Sequence, residues 1–220
     1  MRPEISSSTV RRLSTYYRVL RELGGENARV ASSRLLAERS GVTPAQVRKD
    51  LSYFGNFGKR GLGYDIRHLM REIRTILGLD RRWRVGLVGA GNVGSALFSY
   101  GPFRQQGFDI VAIFDSEPGK IGRQWSGVPI SAMESFAEVA RRVPMDIVVL
   151  ATPAAAAQEV ADRVVAAGVK AILNFAPRQV FVPAGITLRN VDVSIEIETL
   201  SFALNASGDE DGDEPATTRR

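Results

Sequence analysis

The chain contains no cysteine, so disulfides and thiol redox switching are excluded as mechanisms. Its single histidine, His68, leaves too few ligands for a structural zinc or iron–sulfur site, and reads as a helix-surface or packing residue. No apolar run approaches the roughly 20 residues needed to cross a bilayer. Met1-Arg2-Pro3-Glu4 also lacks the apolar core of a secretory signal, so a cytoplasmic protein with no membrane partner is expected. What remains is ordinary for a globular protein, 44% hydrophobic and 24% charged over 220 residues, enough for one large domain or two modest ones.

Charge is unevenly spread. Residues 1–84 carry 18 Lys and Arg against 8 Asp and Glu, whereas residues 85–205 carry 9 against 11 and residues 206–220 carry 2 against 5. A strongly basic head on a near-neutral body points to a polyanionic partner for the head alone.

The head has the spacing of a winged helix-turn-helix. Ser8 or Thr9 can cap a helix running to Leu23, with Val10, Leu13, Tyr17 and Leu20 at helical spacing and Gly24-Gly25 stopping it. A second helix, Arg34 to Arg39, opens at Ser32 or Ser33 and closes at Ser40-Gly41. Thr43-Pro44 opens a third, running to Phe54, because threonine accepts an orphan backbone N–H and proline in the first turn forfeits no hydrogen bond. Val47, Leu51 and Phe54 make its buried stripe. Gln46, Lys49 and Tyr53 share an outward stripe with Arg48 and Ser52 beside it, a surface able to meet phosphates and base edges. Asp50 is out of place there and is expected to pair with a neighbouring arginine. The glycine-rich stretch Gly55 to Gly63, with Lys59-Arg60 at its tip, predicts a β-hairpin wing. An amphipathic helix from Asp65 to Leu77 closes the head. The connection after it is short, so close packing of the two domains is expected.

The body begins with a strand, Arg84 to Val88, ending in Gly89-Ala90-Gly91-Asn92-Val93-Gly94. That glycine pattern is weak by itself, and the strand before it and a helix from Ser95 to about Tyr100 strengthen it. Gly89 permits the tight turn, Gly91 lets backbone approach a pyrophosphate, and Gly94 lets helix and sheet pack closely. A second strand, Asp109 to Phe114, ends at Asp115, placed to accept hydrogen bonds from an adenosine ribose and to repel a 2′-phosphate. NAD(H) is therefore favoured over NADP(H), although Lys120 and Arg123 lie near enough in sequence to blur the preference. Further strands, Asp146 to Ala151 and Lys170 to Phe175, flank a helix from Ala154 to Ala167. Their ends make Thr152, Pro153, Asn174 and Phe175 candidate contacts or ordinary turn residues. Ile186 to Val191 is a candidate last strand. Asp192 then precedes a helix, Val193 to Leu204, whose Ile195, Ile197, Leu200 and Phe202 suggest burial against a partner subunit. Residues 206–220 are expected to be disordered.

A dehydrogenase needs a proton donor beside the hydride acceptor and a substrate pocket. The body has no histidine, its sole tyrosine, Tyr100, is followed by Arg104 where a Tyr-x-x-x-Lys pair would have lysine, and no further domain closes over a substrate. The dinucleotide therefore reads as a signal. A small Rossmann oxidoreductase, or a coenzyme A-binding regulator, with a nucleic-acid-binding head stays open as the alternative.

The run Gln46-Val47-Arg48-Lys49-Asp50-Leu51-Ser52-Tyr53-Phe54-Gly55, the glycine-rich wing, Gly89 to Gly94 and Asn174-Phe175-Ala176-Pro177 together resemble the Rex family of redox-sensing repressors, over residues 9 to 205. The resemblance implies a homodimer that binds palindromic operators of respiratory and fermentative genes, released by NADH while NAD⁺ competes or favours binding. It implies an α/β protein divided into a winged helix domain at 1–80, a doubly wound Rossmann domain at 81–192, an exchanged helix at 193–205 and the tail at 206–220. It also implies that Arg48, Lys49, Ser52 and Tyr53 lie on the recognition helix and that Lys59 and Arg60 lie on the wing. Tyr100 would sit near the nicotinamide, and Arg18 and Asp192 would form a pair between head and exchanged helix. In this reading the neutral reduced ring enters an apolar pocket near Phe103 and Tyr100, where the cationic oxidised ring is poorly solvated.

Overall fold

The computed structural model describes residues 5–59 and 61–208. Arg60 and residues 209–220, on which expectations for the wing tip and the acidic tail fall, lie outside the described residues. The chain divides into two compact units, Met1–Arg82 and Trp83–Arg220.

In the head, α1 (Ser7–Gly25) starts earlier than its sequence suggests. Ser6, not Ser8 or Thr9, is the cap, its hydroxyl accepting the Thr9 N–H at 3.2 Å. The buried stripe is Thr9, Leu13, Tyr16, Val19, Leu20 and Leu23, so Val10 points outward and Tyr17 is only half-buried. A two-residue strand β1 (Val30–Ala31) leads into α2 (Ser33–Ser40), capped by Ser32, and α3 (Pro44–Ser52), where the Thr43 hydroxyl accepts the Gln46 N–H at 3.1 Å. α3 stops two residues short of Phe54, because the N–H groups of Phe54 and Gly55 both turn back onto the Leu51 carbonyl. β2 (Gly58–Lys59) and β3 (Gly63–Asp65) form the expected antiparallel hairpin. β1 adds to its other edge in the order β1-β3-β2, a pairing too short to show as periodicity. Asp65 then caps α4 (Ile66–Ile76). Leu13, Tyr16, Leu20, Leu36, Val47, Leu51, Ile66, Leu69 and Ile73 fill one core beneath these helices.

The body opens with β4 (Trp83–Val88), α5 (Asn92–Ser99), α6 (Gly101–Gln105) and β5 (Phe108–Asp115). β6 (Gln124–Trp125), β7 (Val128–Ala132) and α7 (Phe136–Arg142) follow, in a segment for which the sequence offered no expectation. Then come β8 (Ile147–Leu150), α8 (Ala157–Ala166), β9 (Ala171–Asn174), β10 (Thr187–Asn190) and α9 (Val193–Gly208). The strand order is β10-β9-β8-β4-β5-β7-β6, parallel throughout except for β6, which hairpins onto β7. Order reverses at β4, between β5 and β8, and ligand crevices of doubly wound sheets open at such a switch point. Both sheet faces are covered, as parallel sheets require. Phe114, Phe136, Leu150 and Val164 pack on one side, and Leu87, Ile113, Ile130 and Val149 with Leu97 on the other.

Candidate nucleotide crevice and nucleic-acid face

The turn after β4 is built by what its glycines lack. Gly89 sits at φ 104°, and a Cβ there would run into the Ala151 carbonyl. A Cβ on Gly94 would overlap the Gly89 carbonyl oxygen, so α5 lies directly on the turn. α5 begins at Asn92 rather than Ser95, with Gly91 as its cap and no side chain closing the cap. The first backbone N–H groups of a helix have no intrahelical acceptor, so those of α5 are free for an anion and lie at the positive end of its dipole.

A cavity of about 660 Å³ opens over this helix end, lined by Gly89, Gly91, Asn92, Val93, Asp115, Thr152 and Pro153 among others. Thr152 carries a buried Oγ1 with no hydrogen-bond partner among the described residues. Asp115 ends β5 at the other side, nearly buried. It accepts the Ala90 N–H at 2.7 Å and the Glu117 N–H at 2.8 Å, with Lys120 Nζ at 3.4 Å. Burial pushes the Asp115 carboxyl up, but those backbone donors and the lysine outweigh it, and the group is held below the usual carboxylate range. Lys120 bonds Glu117 more closely, at 2.6 Å, and so stands over Asp115 without cancelling both carboxylates. Arg123 is exposed and does not line the cavity. Glu134, Glu159 and Arg163, which the sequence did not single out, do line it. They belong to the stretch after β7 and to α8, and no motif marks them.

Several expected contacts lie elsewhere. Ala90 and Gly94 shape the turn without lining the cavity. Asn174 is buried, and its side chain is spent on structure. Its Oδ1 accepts the Ala176 N–H at 3.0 Å, and its Nδ2 donates to the Arg178 carbonyl at 2.7 Å and to Asn190 Oδ1 at 2.9 Å. Phe175 packs half-buried into the core that holds Leu87 and Ile113. Neither is among the residues that line the cavity. Tyr100 follows α5 and is 53% exposed, in a second cavity of about 480 Å³ shared with Phe98, Phe103, Arg104 and Phe108. Its ring stands edge-on to Phe103 at 5.1 Å. Asp192 caps the start of α9 by accepting the Ser194 N–H at 2.9 Å. Every described side chain of α9 from Val193 to Asn205 is exposed, including Leu200, Phe202 and Leu204.

On the head, α3 presents Arg48, Lys49 and Ser52 to solvent, and Tyr53, just past its end, is also exposed. Arg48 Nη1 donates to Ser33 Oγ at 3.1 Å, which ties it to the start of α2, and Ser52 Oγ donates to the Lys49 carbonyl at 2.7 Å. A groove of about 560 Å³ runs between α3 and the hairpin, lined by Arg48, Ser52, Asn56 and Lys59. Asp50 is fully buried. It accepts Arg12 Nε at 2.6 Å and Nη2 at 2.8 Å, the Tyr16 hydroxyl at 2.8 Å and Gln46 Nε2 at 2.8 Å. Its arginine partner is thus not a chain neighbour, and Gln46 is half-turned inward rather than fully on the outer stripe. Arg18 lies exposed on α1 and forms no ion pair among the described residues.

Two families match the two halves, one described as a putative DNA-binding protein N-terminus over residues 4–52 and one as a CoA binding domain over residues 80–178. The redox-sensing transcriptional repressor Rex of Desulfitobacterium hafniense is 47% identical over 199 residues, covering 90% of this chain and 95% of that protein. The Rex of Streptomyces coelicolor is 44% identical over 198 residues, covering 90% of this chain and 77% of its own. The crystal structure of RSP in complex with β-NAD⁺ and operator DNA matches with a TM-score of 0.89 at 38% identity, covering 97% of this chain and 99% of that one. RSP in complex with β-NADH matches with a TM-score of 0.86, covering 93% of this chain and 96% of that one. These relatives are named as transcriptional repressors and not as enzymes, in keeping with a glycine-turn crevice and a basic winged helix on one polypeptide. The chain belongs to the Rex family of redox-sensing transcriptional repressors.

Proposed function

We propose that this regulator senses the NADH/NAD⁺ balance by holding the dinucleotide over Gly89–Gly94, and that the reduced form releases a homodimer from palindromic operator DNA. The crevice carries the reading. Free N–H groups at the start of α5 suit a pyrophosphate, the orphan Thr152 hydroxyl suits a polar ligand atom, and the Asp115 carboxylate suits a ribose diol. A coenzyme A ligand would bring a ribose phosphate toward Asp115 and Glu117, where like charges repel it. A substrate-turning enzyme would need a proton donor, and in the lining Lys120 is paired with Asp115 and Glu117, and Arg163 with Glu159.

The two redox forms differ at the nicotinamide, so the adenosine end provides affinity without signal. A ligand that binds both states equally shifts neither. α5 joins the phosphate end to Tyr100, about 12 Å further along its axis. The aromatic cavity of Tyr100 and Phe103 is where an uncharged ring gains and a cationic ring loses. In the dimer, Arg18 on the head would pair with Asp192 before the partner's α9, and a change at the ring would move the heads off their half-site spacing. No helix among the described residues is long and apolar enough to cross a membrane, which suits the cytoplasmic site of action proposed here.

Asp115→Ala tests the assignment. NADH affinity measured by calorimetry should fall by about tenfold or more, as expected when a hydrogen bond to a charged group is removed, while ligand-free operator binding persists. Loss of operator binding together with NADH binding would mean that crevice and head are not separable modules.

A further inference from the structure

Asn174, the last residue of β9, is 1% exposed, and a buried amide costs stability unless its hydrogen bonds are made. Here they are made, and they join separate segments. Oδ1 accepts the Ala176 N–H at 3.0 Å. Nδ2 gives one N–H to the Arg178 carbonyl at 2.7 Å and the other to Asn190 Oδ1 at 2.9 Å, with the Ala176 carbonyl farther away at 3.5 Å. A backbone N–H only donates and a backbone carbonyl only accepts, so the Asn174 amide cannot be turned over. Asn190 therefore presents its oxygen. Two parts of the body meet at this residue. One is the crevice end of the sheet, where the Phe175 N–H donates to the Leu150 carbonyl at 2.8 Å and the next two residues, Ala151 and Thr152, line the crevice. The other is the root of α9. Asn190 ends β10 opposite Asn174, the Val191 N–H donates to the Asn174 carbonyl at 2.8 Å, and Asp192 caps the helix. Every described side chain of α9 from Val193 to Asn205 is exposed, so among the described residues its direction is set at this root and not by packing along its length.

We propose that Asn174 and Asn190 form the joint through which the ligand state of the crevice reaches α9, and through α9 the partner's head. This rests on the dimeric, NADH-responsive function proposed above. Both are positioning residues, since neither lines the crevice. A shift at the end of β8 is carried into β9 by the bond between Phe175 and Leu150. The side-chain bond from Asn174 to Asn190 then makes the root of α9 follow that shift, where the backbone bond of Val191 alone would let it pivot. The lever is long. Sixteen residues of helix span about 24 Å, so a turn of about 5° at the root displaces the far end by about 2 Å.

The test compares the full-length wild type with Asn190→Ala and Asn190→Asp, on an operator that the wild type selects from a randomised duplex library. Operator affinity is measured without NADH and at saturating NADH, and NADH affinity is measured without DNA. Asn190 is exposed, so its replacement leaves the core intact. All three proteins should bind NADH alike, and bind the operator alike in its absence. In Asn190→Ala the ratio of the two operator affinities should shrink about fivefold, the worth of one hydrogen bond. Asn190→Asp keeps the acceptor oxygen and should keep the wild-type ratio, a rescue that follows from the hydrogen bond and not from side-chain bulk. An unchanged ratio in Asn190→Ala, or a ratio that falls equally in Asn190→Asp, would overturn the inference. So would an alanine variant that has lost NADH binding, or one that sediments as a monomer where the wild type is a dimer. In each case NADH-driven release by the wild type would still stand. A wild type whose operator affinity NADH leaves unchanged would instead overturn the functional reading, and this inference with it.

Discussion

Asp50 is the residue on which the head's geometry turns. Fully buried, it joins α1 to α3 through Arg12 and Tyr16. Burial alone would raise its carboxyl. The hydrogen bonds from Arg12, Tyr16 and Gln46 overcome that and hold it below the usual range, while Tyr16 is pushed well above the ordinary phenol value by burial and by Asp50. Asp50→Ala leaves the Arg12 guanidinium and the Tyr16 hydroxyl without their partner, and should destabilise the head by about 3 kcal/mol in urea unfolding. A loss under about 1 kcal/mol would mean that the cluster is not a strut. The sign of the pH dependence follows from the depressed folded-state value. The stabilisation is complete above the unfolded pKa of about 3.9 and disappears as pH falls through the lower folded value. Stability of the wild type should therefore drop more steeply below pH ~4 than that of Asp50→Asn, followed by circular dichroism.

Among the elements, α3 and the glycine turn were legible because their signals are local. Thr43-Pro44 states a helix start in two adjacent residues, and Gly89 to Gly94 is required by close backbone approaches at the turn itself. β1 was not legible, since two residues have no period and its pairing with β3 is settled by the fold. Nor was the partner of Asp50, which stands 38 positions away on another helix. Asn174 shows a subtler limit. A polar residue at a strand end looks the same whether it will touch a ligand or close its own turn, and here it closes the turn. The exposed face of α3 and the hairpin remain the proposed DNA surface, and salt dependence tests it. Lys49→Ala should weaken operator and random duplex alike and flatten the slope of log K against log salt by about 0.9 for each phosphate that the lysine neutralises. An unchanged slope would mean that Lys49 neutralises none.

At the scale of the molecule, α9 is an apolar helix whose side chains from Val193 to Asn205 the described residues leave exposed. Leu200 and Phe202 are 65% and 75% exposed, which is costly for side chains of this size in water. A second copy of the chain is the occupant proposed here. Replacing both residues by aspartate should turn a dimer into a monomer in sedimentation. Leaving two such side chains unburied on each subunit costs roughly 6 kcal/mol, or about 10⁴-fold in dissociation constant. A wild type that sediments as a monomer at micromolar concentration would contradict the exchanged-helix reading. In the proposed dimer, a change at the crevice would be passed to the heads. The most direct measurement is a mobility shift on the selected operator, titrated in parallel with NADH and with NAD⁺. The account predicts that NADH dissolves the complex at concentrations where NAD⁺ leaves it intact. Identical titrations for the two forms, or a complex indifferent to both, would contradict it.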